Sequence, residues 1–178
     1  LKKHYESLHE KYKNEFPKGT PLVCACENGR VEDVEGMIRG ARAAGMDVTA
    51  MVSEEGTDSD GDSMSPFRVA TNKTIIDILF GILFDGKPIN ANTLTDVYKK
   101  VFPRGTPLVC ACEKGRVEDV EGMIRGARAA GMDVTAMVSE VGTDSDGDDM
   151  SPLMTAAMNE HSTIIEILLQ YNADTATT

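Results

Sequence analysis

The sequence predicts an all-α protein built from repeated helix-turn-helix units. The first reason is a duplication: residues 16–66 and residues 102–152 match at 47 of 51 positions, so one segment of structure is expected twice. The second reason is composition. The chain of 178 residues contains no Trp, four Tyr and five Phe. Its interior must therefore consist of Leu, Ile, Val, Met and Ala, which suits closely packed helices better than an aromatic-rich β-sandwich.

The two copies are nearly identical, and surface and interior positions match alike. They differ only at Lys18/Arg104, Asn28/Lys114, Glu55/Val141 and Ser63/Asp149. This pattern indicates a recent or engineered duplication. The identity of the copies therefore does not show which residues function requires.

Smaller units within each copy begin in the same way. Thr20, Ser65, Thr106 and Ser151 each precede a Pro and an apolar residue, which is the pattern of a helix N-cap followed by proline at the first helical position. A short helix, a turn such as Asn28-Gly29 and a second, more apolar helix are expected to follow. The sequence therefore holds four helix-turn-helix units.

These units resemble the ankyrin repeat, which opens with T-P-L-H-x-A-A and continues through an N-G-H turn to an apolar helix. The last unit matches most closely, through Ser151-Pro152-Leu153, Ala156-Ala157, Asn159-Glu160-His161 and the apolar run 164–169. The resemblance implies an ankyrin-repeat α-solenoid. It also implies a role in protein binding, through a concave face made of first helices and β-hairpin fingers.

The spacing of the units departs from the family's period of about 33 residues, because successive units begin 45, 41 and 45 residues apart. The second helices of the first and third units are expected to be about one turn longer, near residues 39–42 and 125–128. The rest of the excess lies at 52–62 and again at 138–148, which predicts longer fingers. The second unit lacks about three residues around Thr71-Asn72, so its inter-helix turn should be distorted.

We expect a single array over residues 1–178 with a helical cap at its start. Tyr5, Leu8, Tyr12 and Phe16 form an apolar stripe that would cover the open end of the first repeat, and a short helix at 95–102 echoes this cap. The expected parts are a capping helix at 1–19, repeat 1 with a long finger at 20–64, a shortened repeat 2 at 65–91, an inserted helix at 92–105, repeat 3 with a long finger at 106–150, and repeat 4 at 151–178.

The candidate binding surface is acidic. Carboxylates crowd each finger, and a surface of this kind favours a basic partner. The alternative is a solvated Asp-Gly turn without a partner. The predicted partner-binding residues are the finger acids and three residues near the first helices: Glu54, Glu55, Asp58, Asp60, Asp62, Glu140, Asp144, Asp146, Asp148, Asp149, Glu27, Arg68 and Glu113.

The Asp-Ser-Asp-Gly-Asp runs at 58–62 and 144–148 resemble the start of a Ca²⁺-binding EF-hand loop. The sixth position of that motif is Ser63 or Asp149 instead of Gly, and the twelfth is not the bidentate Glu. Such a site should bind Ca²⁺ weakly. No metal or cofactor is therefore predicted, and a Ca²⁺-responsive module is kept as the alternative function.

The four cysteines form two Cys-Ala-Cys triplets, Cys24/Cys26 and Cys110/Cys112. They could serve as zinc ligands. However, residues two apart on a helix point about 200° from each other, and the resemblance places these residues at buried positions. We therefore expect small core side chains and an intracellular setting, cytoplasmic or nuclear, because disulfides are rare there.

No constellation for catalysis is visible, so the chain is predicted not to be an enzyme. His4 and His9 lie in the cap, and His161 holds the place of the turn histidine in the resembled family. The glycines at 36–40 and 122–126 lack the order of a nucleotide-binding loop. Because Gly in a helix costs about 1 kcal/mol, we expect these glycines to allow close helix–helix approach.

The net charge of −11 argues against binding to nucleic acid or to an anionic membrane surface, because both need a basic face. The most apolar stretch, Ile75 to Phe84, has about half the length that a membrane-spanning helix needs. We expect a protein or peptide partner, with a monomer as the ordinary state. A dimer that exchanges its near-identical halves is the alternative.

Overall fold

The structure is a computed structural model that describes the backbone of residues 2–176 and the side chains of residues 3–172. It divides into two compact units, Leu1–Asp85 and Gly86–Thr178. Each unit therefore holds two of the four expected repeats, and residues 177 and 178 of the fourth lie outside the described residues. The single array expected over residues 1–178 stays a prediction.

Within the described residues, the first unit contains six helices and one hairpin. The helices are α1 (Lys2–Glu15), α2 (Pro21–Glu27), α3 (Val31–Ala43), α4 (Val48–Ser53), α5 (Pro66–Val69) and α6 (Lys73–Phe84). Antiparallel strands β1 (Gly56–Thr57) and β2 (Ser63–Met64) lie between α4 and α5. Helices α2 and α3 form one pair and α5 and α6 another, and α2 packs against α5 so that the pairs stack.

The described part of the second unit repeats this order of elements. Its helices are α7 (Ala91–Val101), α8 (Pro107–Glu113), α9 (Val117–Ala129), α10 (Val134–Ser139), α11 (Pro152–Met158) and α12 (Ser162–Ala176), and its strands are β3 (Gly142–Thr143) and β4 (Asp149–Met150). Helix α8 packs against α11 as α2 packs against α5. The prediction of an all-α fold made of helix-turn-helix units is confirmed.

Helices lie at both places where the sequence predicts a cap or its internal echo. Helix α1 packs on α2 and α3, and α7 packs on α8 and α9. The apolar faces are covered by these contacts: Leu8 and Tyr12 of α1 are buried, as are Leu94 and Tyr98 of α7. The duplication therefore includes the helix before each near-identical block, although its sequence has diverged.

The predicted start of the inserted helix is wrong by four residues. Helix α7 begins at Ala91 and not at Thr95, because Asn90 provides a cap. The Asn90 side chain accepts hydrogen bonds from the backbone N–H groups of Asn92 and Thr93, at 3.0 and 3.1 Å. The Thr93 hydroxyl in turn accepts one from the N–H of Asn90 at 2.9 Å, which completes a capping box.

Each capping helix contributes one tyrosine that bonds to a carboxylate at the start of the next long helix. Tyr12 donates to Asp33 at 2.6 Å and Tyr98 donates to Asp119 at 2.7 Å. The second pair is the more buried, because Asp119 is only 4% exposed. Burial raises the pKa of Tyr98 well above its ordinary value.

Glycines in α3 and α9 allow the capping helices to approach closely, as predicted. A Cβ atom on Gly40 would lie 2.5 Å from the Cβ of Tyr5, and one on Gly126 would lie 2.4 Å from the Cβ of Ala91. Such separations are far below van der Waals contact. The close approach of the helices therefore requires a residue without a side chain at both positions.

A short third helix, α4 or α10, was not predicted. The expected finger excess at 52–62 begins instead inside α4, which covers Val48–Ser53. Asp47 starts this helix by accepting a hydrogen bond from the N–H of Ala50 at 3.1 Å. A helix of six residues is too short for apolar periodicity to reveal.

The deletion predicted in the second repeat shortens its first helix and not the inter-helix turn, which has three residues in both the second and the fourth repeat. Helix α5 has four residues where its counterpart α11 has seven, so the deleted residues come from the end of the first helix. Asn72 then caps α6 directly by accepting a hydrogen bond from the N–H of Ile75 at 3.2 Å.

Candidate functional site: the acidic fingers

The finger of the first unit is a short hairpin with an acidic tip. Gly56 pairs with Met64 and Thr57 with Ser63, and residues 58–62 connect the strands. Gly61 has a φ of +90°, a conformation that glycine adopts at little cost. The second finger has the same register, Gly142 with Met150 and Thr143 with Asp149, and Gly147 has a φ of +88°. The predicted β-hairpin fingers are confirmed.

One aspartate in each finger holds the tip together. Asp58 is only 8% exposed, and its Oδ1 accepts hydrogen bonds from the N–H groups of Asp60 and Asp62, at 3.0 and 2.9 Å. Asp144 makes the same two bonds in the second finger. These two aspartates keep the backbone folded and direct the neighbouring carboxylates outward.

Glu27 and Glu113 connect the fingertips to the first helices. The Glu27 carboxylate accepts hydrogen bonds from the N–H of Ser59 at 3.1 Å and from its hydroxyl at 3.0 Å. Glu113 accepts the equivalent pair from Ser145, at 3.1 and 2.7 Å. Both carboxylates thus bind their own finger. Their predicted role in partner binding stays a prediction, and the structure adds a positioning role.

Thr20 joins the base of the finger to the start of α2. Its Oγ1 accepts a hydrogen bond from the N–H of Thr57 at 2.9 Å, and its own N–H donates to the Thr57 carbonyl at 2.9 Å. Thr20 is the N-cap residue of α2, as predicted, but its side chain makes no capping hydrogen bond because strand β1 uses the hydroxyl. Ser65 does cap its helix, by accepting from the N–H of Arg68 at 3.2 Å. Thr106 and Ser151 divide these roles in the same way.

Most of the finger carboxylates face solvent. Asp58 is buried and Asp144 half-buried. The exposed acids are Glu54, Glu55, Asp60, Asp62, Glu140, Asp146, Asp148 and Asp149. The sequence correctly identified an acidic surface, but it could not separate the two structural aspartates from the eight exposed acids.

The two fingers differ where they meet the following helix. In the first unit, Glu55 Oε1 lies 3.7 Å from Nη1 of Arg68, and the Ser63 hydroxyl donates to Glu55 at 2.9 Å. The Arg68 side chain is only 14% exposed. In the second unit, Val141 and Met154 stand at the places of Glu55 and Arg68 and are 67% and 56% exposed. An ion pair in one unit is therefore replaced by an exposed apolar pair in the other.

Each tip brings three carboxylates together. Ligand oxygens of Asp58, Asp60 and Asp62 all lie within 4.8 Å of one another, as do those of Asp144, Asp146 and Asp148. Such a cluster suits a hard divalent cation in charge and in donor type. One oxygen of the first aspartate, Asp58 or Asp144, is however already used by two backbone N–H groups.

The cysteines pack in the core, as predicted. Cys24, Cys26, Cys110 and Cys112 are all buried free thiols. Burial raises the pKa of Cys24 to about 11 and that of Cys26 to about 12. Thiols of this kind are poor nucleophiles and poor metal ligands at neutral pH.

Stacked helix pairs with a polar hairpin before every second pair define a helical-repeat protein with projecting fingers. The family profile described as "Ankyrin repeats (3 copies)" matches residues 67–178. The chain belongs to the ankyrin-repeat family, and ankyrin repeats are generally protein–protein interaction modules. Repeat 1 at 20–64 lies before the matched segment but copies residues 106–150 almost residue for residue.

The comparison with curated proteins finds no match. Among the residues that the structure describes, no helix combines the length and the apolar character needed to cross a bilayer.

Proposed function

We propose that the chain is a non-catalytic interaction module whose acidic fingers bind a basic segment of a partner protein. The observation that carries this proposal is the exposure of eight carboxylates on two hairpins that are themselves tied down. Exposed charge on a rigid support attracts an opposite charge without first having to be ordered, so little entropy is lost on binding.

The internal bonds of the finger support this reading. The serine at the second position of the tip is held by Glu27 or Glu113, and the first aspartate by the backbone of the tip. The side chains of Asp60, Asp62, Asp146 and Asp148 are exposed to solvent. Because a lysine or arginine on the partner would meet two carboxylates at each tip, the contact should weaken as salt rises.

The duplication supplies two such tips in one chain. If a partner carries two basic segments, the second contact is intramolecular and raises the overall affinity above that of either finger alone. We also propose an intracellular setting, supported by four buried thiols without a disulfide, and a monomeric ordinary state that light scattering would check.

The experiment uses an octalysine peptide and isothermal calorimetry at low and at physiological salt. The test variant carries Asp60→Asn, Asp62→Asn, Asp146→Asn and Asp148→Asn. A matched control removes the same charge from exposed helix positions away from the fingers: Glu6→Gln, Glu10→Gln, Asp96→Asn and Glu166→Gln. The finger variant should lose affinity by about tenfold or more, and the control by less than about threefold. Equal losses would show that only net charge matters and would refute the finger site.

Variants of a single finger test whether the two fingers bind one peptide together. Neutralising only Asp60 and Asp62, or only Asp146 and Asp148, should lower the affinity for a long lysine peptide more than for a tetralysine. An equal loss for both peptides would mean that the fingers act one at a time.

The alternative is a Ca²⁺-responsive module, favoured by the three-carboxylate cluster at each tip. Calorimetry and thermal melting in millimolar Ca²⁺ distinguish it from the leading proposal. Heat release and a higher melting temperature that both vanish in the finger variant would support the Ca²⁺ function. No heat and no stabilisation would remove it.

A further inference from the structure

Tyr5 of α1 and Ala91 of α7 occupy matching places in the two units. Tyr5 lies as many residues before Phe16 as Ala91 lies before Phe102, and these two Phe residues begin the two near-identical segments. Their Cβ atoms lie 2.5 and 2.4 Å from the points where a Cβ on Gly40 or on Gly126 would stand. The two capping helices therefore approach α3 and α9 alike, and the units differ in what extends beyond that Cβ.

In the first unit, an aromatic ring covers the end of α3. The Cγ and Cδ2 atoms of Tyr5 lie 3.1 and 3.2 Å from the same point on Gly40. The Tyr5 ring also contacts that of His9, with 4.4 Å between the ring centroids. Gly40, Pro21 and Val48 are all buried in this unit.

In the second unit, the same region is an open groove. Ala91 and Thr95 stand where Tyr5 and His9 stand in the first unit, and both line a groove of about 730 Å³. The counterparts of the three buried residues are Gly126, Pro107 and Val134, and all three are only half-buried. The lining residues that differ from their counterparts in the first unit are Ala91, Asn92, Thr95 and Val141. The replacement of Tyr5 by Ala91 removes the most side-chain volume, so we infer that it contributes most to the opening.

The walls of the groove suit an aromatic side chain. Met123, Met132 and Met137 line it together with alanines of α9 and α10. Methionine is flexible and makes favourable sulfur contacts with aromatic rings. The volume lies in the range of specific small-ligand sites. Met132 is 61% exposed, compared with 45% for its counterpart Met46, so this wall is accessible from solvent.

We propose that this groove binds a tyrosine or phenylalanine side chain of a partner polypeptide, in the place that Tyr5 takes in the first unit. Asp133 and Glu140 also line the groove and are exposed. Their charge favours an aromatic residue flanked by lysine or arginine. Glu140 belongs to both surfaces, but the tip carboxylates of the second finger do not line this groove, so variants at the tips test the finger proposal without altering this site.

The test is an NMR titration of the full chain with methyl-labelled methionine. The probes are p-cresol, which reproduces the tyrosine side chain, and the capped tripeptide Lys-Tyr-Lys. Methyl signals of Met123, Met132 and Met137 should shift, with a dissociation constant of about 1–10 mM for p-cresol. Signals of the counterparts Met37, Met46 and Met51 should not move, because Tyr5 already fills their groove.

Two variants make the test specific. Ala91→Tyr restores the ring of the first unit and should weaken probe binding by about tenfold or more. Tyr5→Ala opens the first groove, so Met37 and Met51 should then respond to p-cresol. Tyr5→Ala could loosen the packing of α1. The measurement on Ala91→Tyr still tests the proposal in that case, because the Cβ of the introduced tyrosine would lie where the Cβ of Ala91 already lies.

Several outcomes would overturn the proposal. These are equal shifts for both sets of methionines in the parent, unchanged binding in Ala91→Tyr, or equal binding of the capped tripeptide Lys-Ala-Lys. Methyl shifts that depend on protein concentration without any probe would mean that a second copy of the chain fills the groove. The finger variant should still bind p-cresol, so failure of the finger proposal and failure of this one give different results.

Discussion

The two units share a nearly identical 51-residue segment but carry different capping helices. Where α1 places Tyr5 and His9 on the end of α3, α7 places Ala91 and Thr95 on the end of α9. The duplicated segment keeps its helices, its finger and its internal bonds in both settings. The surface it presents is nevertheless different, because a neighbouring helix decides whether the same apolar residues are covered.

A second contrast lies at the base of the fingers. In the first unit Glu55 forms an ion pair with Arg68, whereas in the second unit Val141 and Met154 are exposed to solvent. Together these differences suggest a division of roles, in which the second unit offers more accessible apolar surface. The comparison teaches that near-identity of sequence does not imply identity of binding surface.

The largest effect is expected from filling the space between the capping helix and the long helix. Gly40→Ala and Gly126→Ala should each lower the free energy of unfolding by about 3 kcal/mol, because the added methyl meets a Cβ at 2.5 or 2.4 Å. Urea denaturation measures the loss. Adding Ala91→Gly should restore most of the stability of Gly126→Ala, and no restoration would mean that the close approach is not the cause.

The next effect separates the two tyrosine–aspartate pairs. Tyr98→Phe should cost about 2 kcal/mol, because it removes a hydrogen bond from the buried Asp119. Tyr12→Phe should cost about 1 kcal/mol, since Asp33 is only half-buried. Both carboxylates keep a cation, Lys11 at 3.3 Å from Asp33 and Arg116 at 3.0 Å from Asp119. Chemical denaturation of both variants provides the comparison. Equal losses would contradict the difference in burial.

A smaller effect concerns Lys114, which replaces Asn28 and is 8% exposed. Burial lowers its pKa in the folded state below the ordinary 10.5. Between the lowered value and 10.5 the unfolded chain binds more protons, so stability should rise with pH in that window. Lys114→Asn should remove this rise and add about 1 kcal/mol at neutral pH, provided that it donates to Cys110 as Asn28 donates to Cys24 at 2.8 Å.

Melting temperatures measured from neutral pH to pH 10.5 check this prediction. Asn28→Lys is the control in the other unit, because Asn28 is exposed and a lysine there should stay hydrated and add no such pH dependence. An identical pH profile for the parent and for Lys114→Asn would contradict it.

The smallest effect is expected at the base of the fingers. Glu55→Val removes the contact with Arg68 at 3.7 Å and should cost about 0.5 kcal/mol. The reverse change, Val141→Glu, should alter stability by less than about 0.3 kcal/mol, because Met154 offers no charge to pair with. Thermal melting at low and high salt checks both. A salt-independent loss in Glu55→Val would mean that packing, and not charge, carries the effect.

Much of the fold could be predicted because its signals are local. The Ser/Thr-Pro starts, the apolar stripe of Leu8 and Tyr12, and the Asp-Gly tips each depend on residues within a few positions of one another. Helix α4 escaped prediction because six residues show no clear period. The start of α7 escaped because a capping box at Asn90 extends the helix before its apolar face begins.

The sequence by itself determined the helical class, the duplication and the acidity of the fingers, since periodicity, proline starts and charge belong to short stretches of chain. Only the tertiary structure decided which carboxylates hold the fingers in place and which face solvent, because Glu27 and Ser59 are 32 residues apart along the chain. It alone also revealed the groove of the second unit. That groove depends on whether a ring from a separate helix reaches Gly40 or Gly126, and packing between distant segments leaves no local pattern to read.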